Sequence, residues 1–420
     1  MNIIILLMLI SLLVLEMALF KDAISPPVFL TFVWILPFLW LSIGNIAGTV
    51  DYVMDSTGFI YMIGIVIFLM GFILTCRKYR VTKYSIAIDE CHHMTVALKV
   101  IIVIEAAILA YFLVDVLAFA IKNMRGSLWY TYKWGMNNSL YKEKWFISYG
   151  RNASRAITIV MYAFVNTSEG NAEKKERRWM WIQVIIAAIF HIIGPGRNDI
   201  FALLIPIGII YVITHRKSGF DSFSKIVKLG LVLVAIFYIY YVFKNPNRDS
   251  NLGVISSIEN YLCGGTVSFV DWVNQGNHQY GHGLYTFRFF CAIARDLFGS
   301  SVEVVSPVEK HVLNFNNHYG NVYTMYKWYA NDFGLWYAFL WQFIFGCIHG
   351  KITRRFQDRR DTVSLIVFAF SFFPLFMQFF QDEYISIVST WIQMYLWIFL
   401  CANTELLYKR DSRSSTISES

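Results

Sequence analysis

Charge is what this chain has least of. Only 15% of its 420 residues are Asp, Glu, Lys or Arg, against 57% hydrophobic, and its mean hydropathy is +0.49. A soluble domain carries about a quarter charged residues, so this composition argues against a water-soluble fold. Cysteine is sparse too: the 6 present form no Cys-x-x-Cys pair and no zinc-ribbon spacing, which removes motif-based redox and structural-metal functions. There is no Ser-His-Asp signature, no phosphate-binding Gly-rich loop and no nucleotide motif. The alternation of a membrane β-barrel is missing. So is the internal repeat on which many transporters are built.

What is present is a series of apolar runs long enough to cross a hydrocarbon core, separated by short polar breaks, which predicts an all-α polytopic membrane protein. The net charge of +8 comes from 36 Lys plus Arg. Most of them cluster in alternate loops, as the positive-inside rule requires, so no nucleic-acid surface is needed to explain them. Arg77, Lys78, Arg80 and Lys83 mark one cytoplasmic loop. Lys174 to Arg178, His215 to Lys228 and Lys351 to Arg360 mark three more. The acidic stretches Asp51 to Asp55 and Gln381-Asp382-Glu383 fall on the opposite side.

This alternation predicts about eleven spans, with the N-terminus outside and the C-terminus inside. The first span, Ile3 to Phe20, lacks the basic start and small-residue cleavage site of a removable signal and is expected to be retained. Spans one to eight occupy 1–243, a large extracytoplasmic loop 244–325, three further spans 326–407, and a Ser-rich cytoplasmic tail 408–420. A weak fifth span is expected at about Ala153 to Val165. Glu105 and Asp115 lie inside the fourth, where a carboxylate signals either function or a hydrogen bond to a neighbouring helix. The aromatic linker Lys122 to Tyr149 reads as a belt along the membrane surface.

Ionisable residues crowd into Lys244 to Gly334. Leu284 to Gly299 has helical spacing, with Arg288 and Arg295 seven residues apart on a stripe with Cys291 and Ala292. Such a helix either presents a cationic face to a phosphate or anchors itself to lipid head groups. Arg197 lies in the tight hairpin Gly194 to Asn198 between two apolar runs, positioned for a lipid phosphate, a substrate or Asp199. His278 and His282 stand four apart, but Gly281 and Gly283 oppose a helix there, and no third ligand has metal spacing, so no metal site is expected. His311 and His318 are either general bases or hydrogen-bonded structural histidines.

At these residues the chain resembles the bacterial oligosaccharide repeat-unit polymerases, the Wzy-like O-antigen and capsule polymerases. The likeness rests on Tyr261-Leu262-Cys263-Gly264-Gly265, on Asn321-Val322-Tyr323-Thr324 followed by Asp332-Phe333-Gly334, on the Gly-x-Arg-like turn at Arg197, and on one large outer loop late in a polytopic chain. The hairpin departs from the pattern, with Pro195-Gly196-Arg197-Asn198 in place of small residues.

The resemblance implies a GT-C-like glycosyltransferase in the bacterial inner membrane, its active site facing the periplasm or exterior. It would move a growing glycan from undecaprenyl pyrophosphate to a hydroxyl of the next lipid-linked unit, with no cofactor. It further implies catalytic roles for Arg197, Arg288, His318 and Asp332. Substrate contacts would come from Arg248, Glu259, Tyr261, Gly264, Gly265, His282, Arg295, His311, Asn321 and Tyr323. The arginines would bind diphosphate, and the base would be one of His318, His311, Asp332 or Glu259. Implied partners are the bilayer, the lipid-linked oligosaccharide, a chain-length regulator and a flippase of the same pathway. A flippase or an O-antigen ligase is the competing class.

Overall fold

The computed structural model describes residues 1–50, 52–77, 79, 92–167, 174–194, 198–216, 219–244, 259–276, 278, 280–306, 311–312, 319–320, 323–403 and 408–410. These residues are overwhelmingly helical. Up to Lys244 these are α1 (Asn2–Phe20), α2 (Pro26–Ala47), α3 (Phe59–Cys76), α4 (Val96–Lys122), α5 (Leu128–Asn137), α6 (Trp145–Thr167), α7 (Lys174–Ile193), α8 (Asn198–His215) and α9 (Gly219–Lys244). A π-helical turn, Asn260–Gly264, leads into α10 (Gly265–Gln275), followed by α11 (Arg288–Phe298), α12 (Met325–Phe333), α13 (Leu335–Arg359), α14 (Thr362–Phe370), α15 (Phe372–Met377) and α16 (Val388–Asn403). The strands described are two short antiparallel pairings, His92–Met94 with Tyr408–Arg410 and His311–Val312 with Tyr319–Gly320.

Five segments, Asn2–Phe20, Pro26–Ala47, Ser56–Cys76, Val96–Lys122 and Asn198–His215, are long and apolar enough to cross a membrane. A helix satisfies its own backbone polar groups, which is what a hydrocarbon environment demands. On α1 and α4 the residues turned away from the protein are Leu7, Val14, Leu15, Val103, Val114 and Ile121, all exposed. Continuous apolar surface of this kind is a liability in water and the normal exterior in lipid. The chain is therefore an all-α membrane protein.

Among the described residues, the most extensive helix contact joins α3 to α13. A Cβ on Gly71 would sit 2.3 Å from the Phe343 carbonyl oxygen, and one on Gly346 would sit 2.1 Å from that of Phe68. Thr75 Oγ1 donates to the Cys347 carbonyl at 2.9 Å across the same seam. Small residues allow such approach, and in lipid, packing and interhelical hydrogen bonds drive association.

Three elements differ from the sequence expectation. The weak fifth span becomes the 23-residue helix α6, most of whose residues are buried, including Arg151, Ser154 and Arg155. The polar residues that dilute its hydropathy face protein rather than lipid. The ninth apolar run is split between α12 and α13 by Gly334, whose φ of 87° is a conformation glycine adopts without strain. The amphipathic segment in the long loop becomes helical at Arg288, after a turn region that starts near His282. None of its residues is buried, and Phe290, Leu297 and Phe298 are exposed.

Candidate functional site

Arg151 and Arg155 stand one helical turn apart on α6, so their side chains leave the same face. Both are buried, at 6% and 2% exposure. Arg151 makes a two-pronged contact with Glu143, Nη1 to Oε1 at 3.0 Å and Nη2 to Oε2 at 2.7 Å. Its Nε lies 3.8 Å from Asp199 Oδ2. Arg155 Nη2 donates to Asp199 Oδ1 at 2.5 Å. Asp199 stands in the first turn of α8, where the helix dipole also favours an anion.

The neighbouring residue, Asn198, donates from Nδ2 to Glu383 Oε1 at 2.9 Å. Glu383 lies in the turn between α15 and α16, and Gln381 Nε2 donates to the same oxygen. Burial, reinforced by Asp382 and Asp199, pushes its carboxyl up to about 8 against the pull of those two amide bonds. Burial likewise raises the Glu143 carboxyl, opposed by Arg151. Four separate parts of the chain thus converge on one polar cluster: α6 with the stretch before it, the end of α7, the start of α8, and the turn before α16.

The cluster is not internally saturated. Arg155 Nε and both ring nitrogens of fully buried His191 have no hydrogen-bond partner among the described residues. Buried polar groups are nearly always paired, so these unpaired nitrogens within the arginine cluster mark a place for water or the polar atoms of a ligand. Gly194 closes over Arg151: a Cβ there would lie 2.8 Å from Nη1. Asn198 also borders an apolar cavity of about 520 Å³, walled by Phe32, Trp40, Phe201, Leu229, Tyr261 and Phe380 among others. The arrangement can hold an amphiphile, with hydrocarbon in the cleft and oxygens in the cluster.

Arg197, Arg248, His318 and Asn321 lie outside the described residues. The positions flanking 195–197, Gly194 and Asn198, both belong to the cluster. His311 pairs with Gly320 in the short strand contact. Arg288 uses Nε on the Val305 carbonyl at 2.8 Å, and Arg295, half exposed, pairs with Asp296 at 2.8 Å. Asp332 is fully buried and accepts from the Tyr285 and Thr286 amides at 3.1 and 2.7 Å, so both its oxygens hold a turn. His282 donates its amide to the Asp332 carbonyl at 3.3 Å and rests its ring against Phe333. Glu259 is buried. Tyr261 stacks on Phe380 with ring centres 5.5 Å apart, and Tyr323 faces the Lys327 ammonium at 3.5 Å. Gly264 lies in the π-helical turn, and Gly265 passes so close that a Cβ would meet the Phe379 carbonyl at 3.0 Å. Of the expected residues that are described, Tyr261 reaches the wall of the cavity beside the arginine cluster, and the others make their contacts elsewhere.

Replacing Asp332 by Ala frees two backbone amides at once, the half-buried one of Tyr285 and the buried one of Thr286. The expected cost is about 2 kcal/mol of stability, read as a lowered thermal midpoint in detergent, with Asp332→Asn losing less because it keeps one acceptor. An unchanged midpoint for the alanine variant would remove the turn-cap assignment.

Sequence reasoning placed weight on the long loop and missed Glu143, Arg151, Arg155, His191 and Glu383. One signal was available. Arg151 and Arg155 are four residues apart at the start of an apolar run, and paired cations at that spacing share a helix face and need a common partner. The intramembrane carboxylates find partners on neighbouring elements: Glu105 accepts from Gln183 at 2.5 Å and Asp115 from Tyr141 at 2.7 Å.

No family model, curated protein or solved structure matches this chain. Fold and site define its class: an all-α membrane protein with a buried arginine–carboxylate cluster beside an apolar cleft.

Proposed function

We propose that this chain is a glycosyltransferase of the bacterial plasma membrane that polymerises polyprenyl-diphosphate-linked oligosaccharide units on the extracytoplasmic face. In this reading about eleven spans build a GT-C-like scaffold. The observation that carries the proposal is the junction at Asn198, where the polar cluster meets the apolar cleft. A polyprenyl diphosphate has the same two halves. Its hydrocarbon would lie along the cleft and its oxygens beside Arg155, His191, Gly194 and Asn198.

The energy for transfer resides in the glycosyl–diphosphate bond, so no nucleotide is required. As that bond breaks, negative charge grows on the departing diphosphate. Preorganised buried donors stabilise such charge far better than water-exposed ones, which is where the arginines contribute to rate. The pathway flippase would supply the substrate and a chain-length regulator would limit the product.

The test is the length distribution of surface polysaccharide in a deletion strain. The expected result is collapse of a ladder to single repeats, restored by the wild-type chain. Loss of all exported repeats would replace the polymerase with a transporter, and a full ladder that is no longer attached would indicate a ligase.

A further inference from the structure

The turn before α16 carries two buried carboxylates in different surroundings. Asp382 accepts from Tyr329 Oη at 2.7 Å and from the amides of Tyr384, Ile385 and Ser386 at 3.1, 3.1 and 2.7 Å. It is saturated by the turn it holds together. Glu383 is equally enclosed, at 3% exposure, but both amides that reach it, from Asn198 and Gln381, address Oε1. Oε2 accepts from no described residue. The backbone of this residue is anchored, because its carbonyl accepts from Trp391 Nε1 at 3.0 Å.

We infer that Glu383 is the base of the transfer reaction, with Asn198 its positioning residue. The inference rests on the transferase reading above. The acceptor hydroxyl oxygen attacks the anomeric carbon of the donor glycan and a new C–O bond forms. The C–O bond to the diphosphate breaks, its electron pair leaving on the diphosphate, and the hydroxyl proton passes to Glu383 Oε2. Asn198 ties the base to the cleft wall, so a donor seated by its hydrocarbon presents its reacting end beside this carboxylate. Geometry of this kind is the first requirement of a general base.

The charged groups around Glu383 are Asp382 on its own turn, Asp199 on α8 and Arg155 on α6; α16 contributes the neutral Trp391. The two carboxylates favour the protonated form and Arg155 the ionised one. Since only the ionised form accepts a proton, the rate rises with pH through about 8 and levels above it. The Asn198 amide stabilises the ionised form, so Asn198→Ala moves that rise to higher pH.

The experiment measures glycan extension by the full chain in native membranes from neutral to alkaline pH, with binding of undecaprenyl diphosphate measured in parallel. Glu383→Gln is expected to lose about 100-fold in rate or more and its pH dependence, while binding the lipid like wild type. Glu383→Asp keeps a pH-dependent residual rate. Equal expression and thermal midpoints exclude misfolding, and a purely structural Glu383 would not shift the pH limb in Asn198→Ala. If wild type binds and extends but Glu383→Gln keeps its rate, the base assignment falls alone. If wild type neither binds this lipid nor extends glycan, the transferase reading falls and takes this inference with it.

Discussion

Arg155→Ala, expressed to the wild-type level, is expected to lower polymer yield by about 100-fold or more, the usual effect of deleting one preorganised donor to a developing oxyanion. The side chain is 2% exposed, binds Asp199 through Nη2 at 2.5 Å and leaves Nε unpaired. That unpaired donor separates a functional from a structural role. Asp199→Ala strands a buried guanidinium and is expected to cost about 3–5 kcal/mol. The double variant should recover much of this stability, since neither charge is then left alone. It should not recover polymer. Ladder length and detergent melting curves read the two effects independently. A double variant that regains both would make the pair a structural clasp and remove the arginine from the reaction.

The second large effect is on assembly. Gly346→Leu puts a side chain where a Cβ alone would meet the Phe68 carbonyl at 2.1 Å. The obstacle is backbone and cannot rotate away, so α3 and α13 separate and the Thr75 to Cys347 hydrogen bond is lost with the seam. Overpacking ordinarily costs about 1–3 kcal/mol, and a backbone clash belongs at or above the top of that range. The variant is expected to melt well below wild type or fail to accumulate. Gly230→Ala on α9 is the contrast, because nothing lies within 4 Å of the new carbon and alanine favours a helix by about 1 kcal/mol. Equal midpoints for the two variants would contradict the close-packed seam.

Membrane class and helical architecture could be read from residue order alone, because lipid exposure and helix length act on each segment separately. Runs such as Asn2–Phe20 and Val96–Lys122 have that character whatever their neighbours do. The start of α8 could also be marked, since two glycines and a proline precede its apolar run, and the described helix begins at Asn198. The long loop drew attention because it concentrates ionisable residues. Several of them have local duties instead: Asp332 holds the 285–286 amides, and Arg288 a carbonyl.

Helix α6 shows the limit most directly. Arg151 and Arg155 depress its hydropathy, so by itself it reads as a poor span. In the folded chain those two guanidinium groups face Glu143, before the same helix, and Asp199, 44 residues beyond Arg155. Glu383 reaches Asn198 across 185 residues. The sequence by itself determined which segments belong in lipid and where the chain turns, because those depend on local composition. The tertiary structure decided which charges meet, because a buried ion becomes affordable only when a distant element brings its counter-charge, and no local pattern records that pairing.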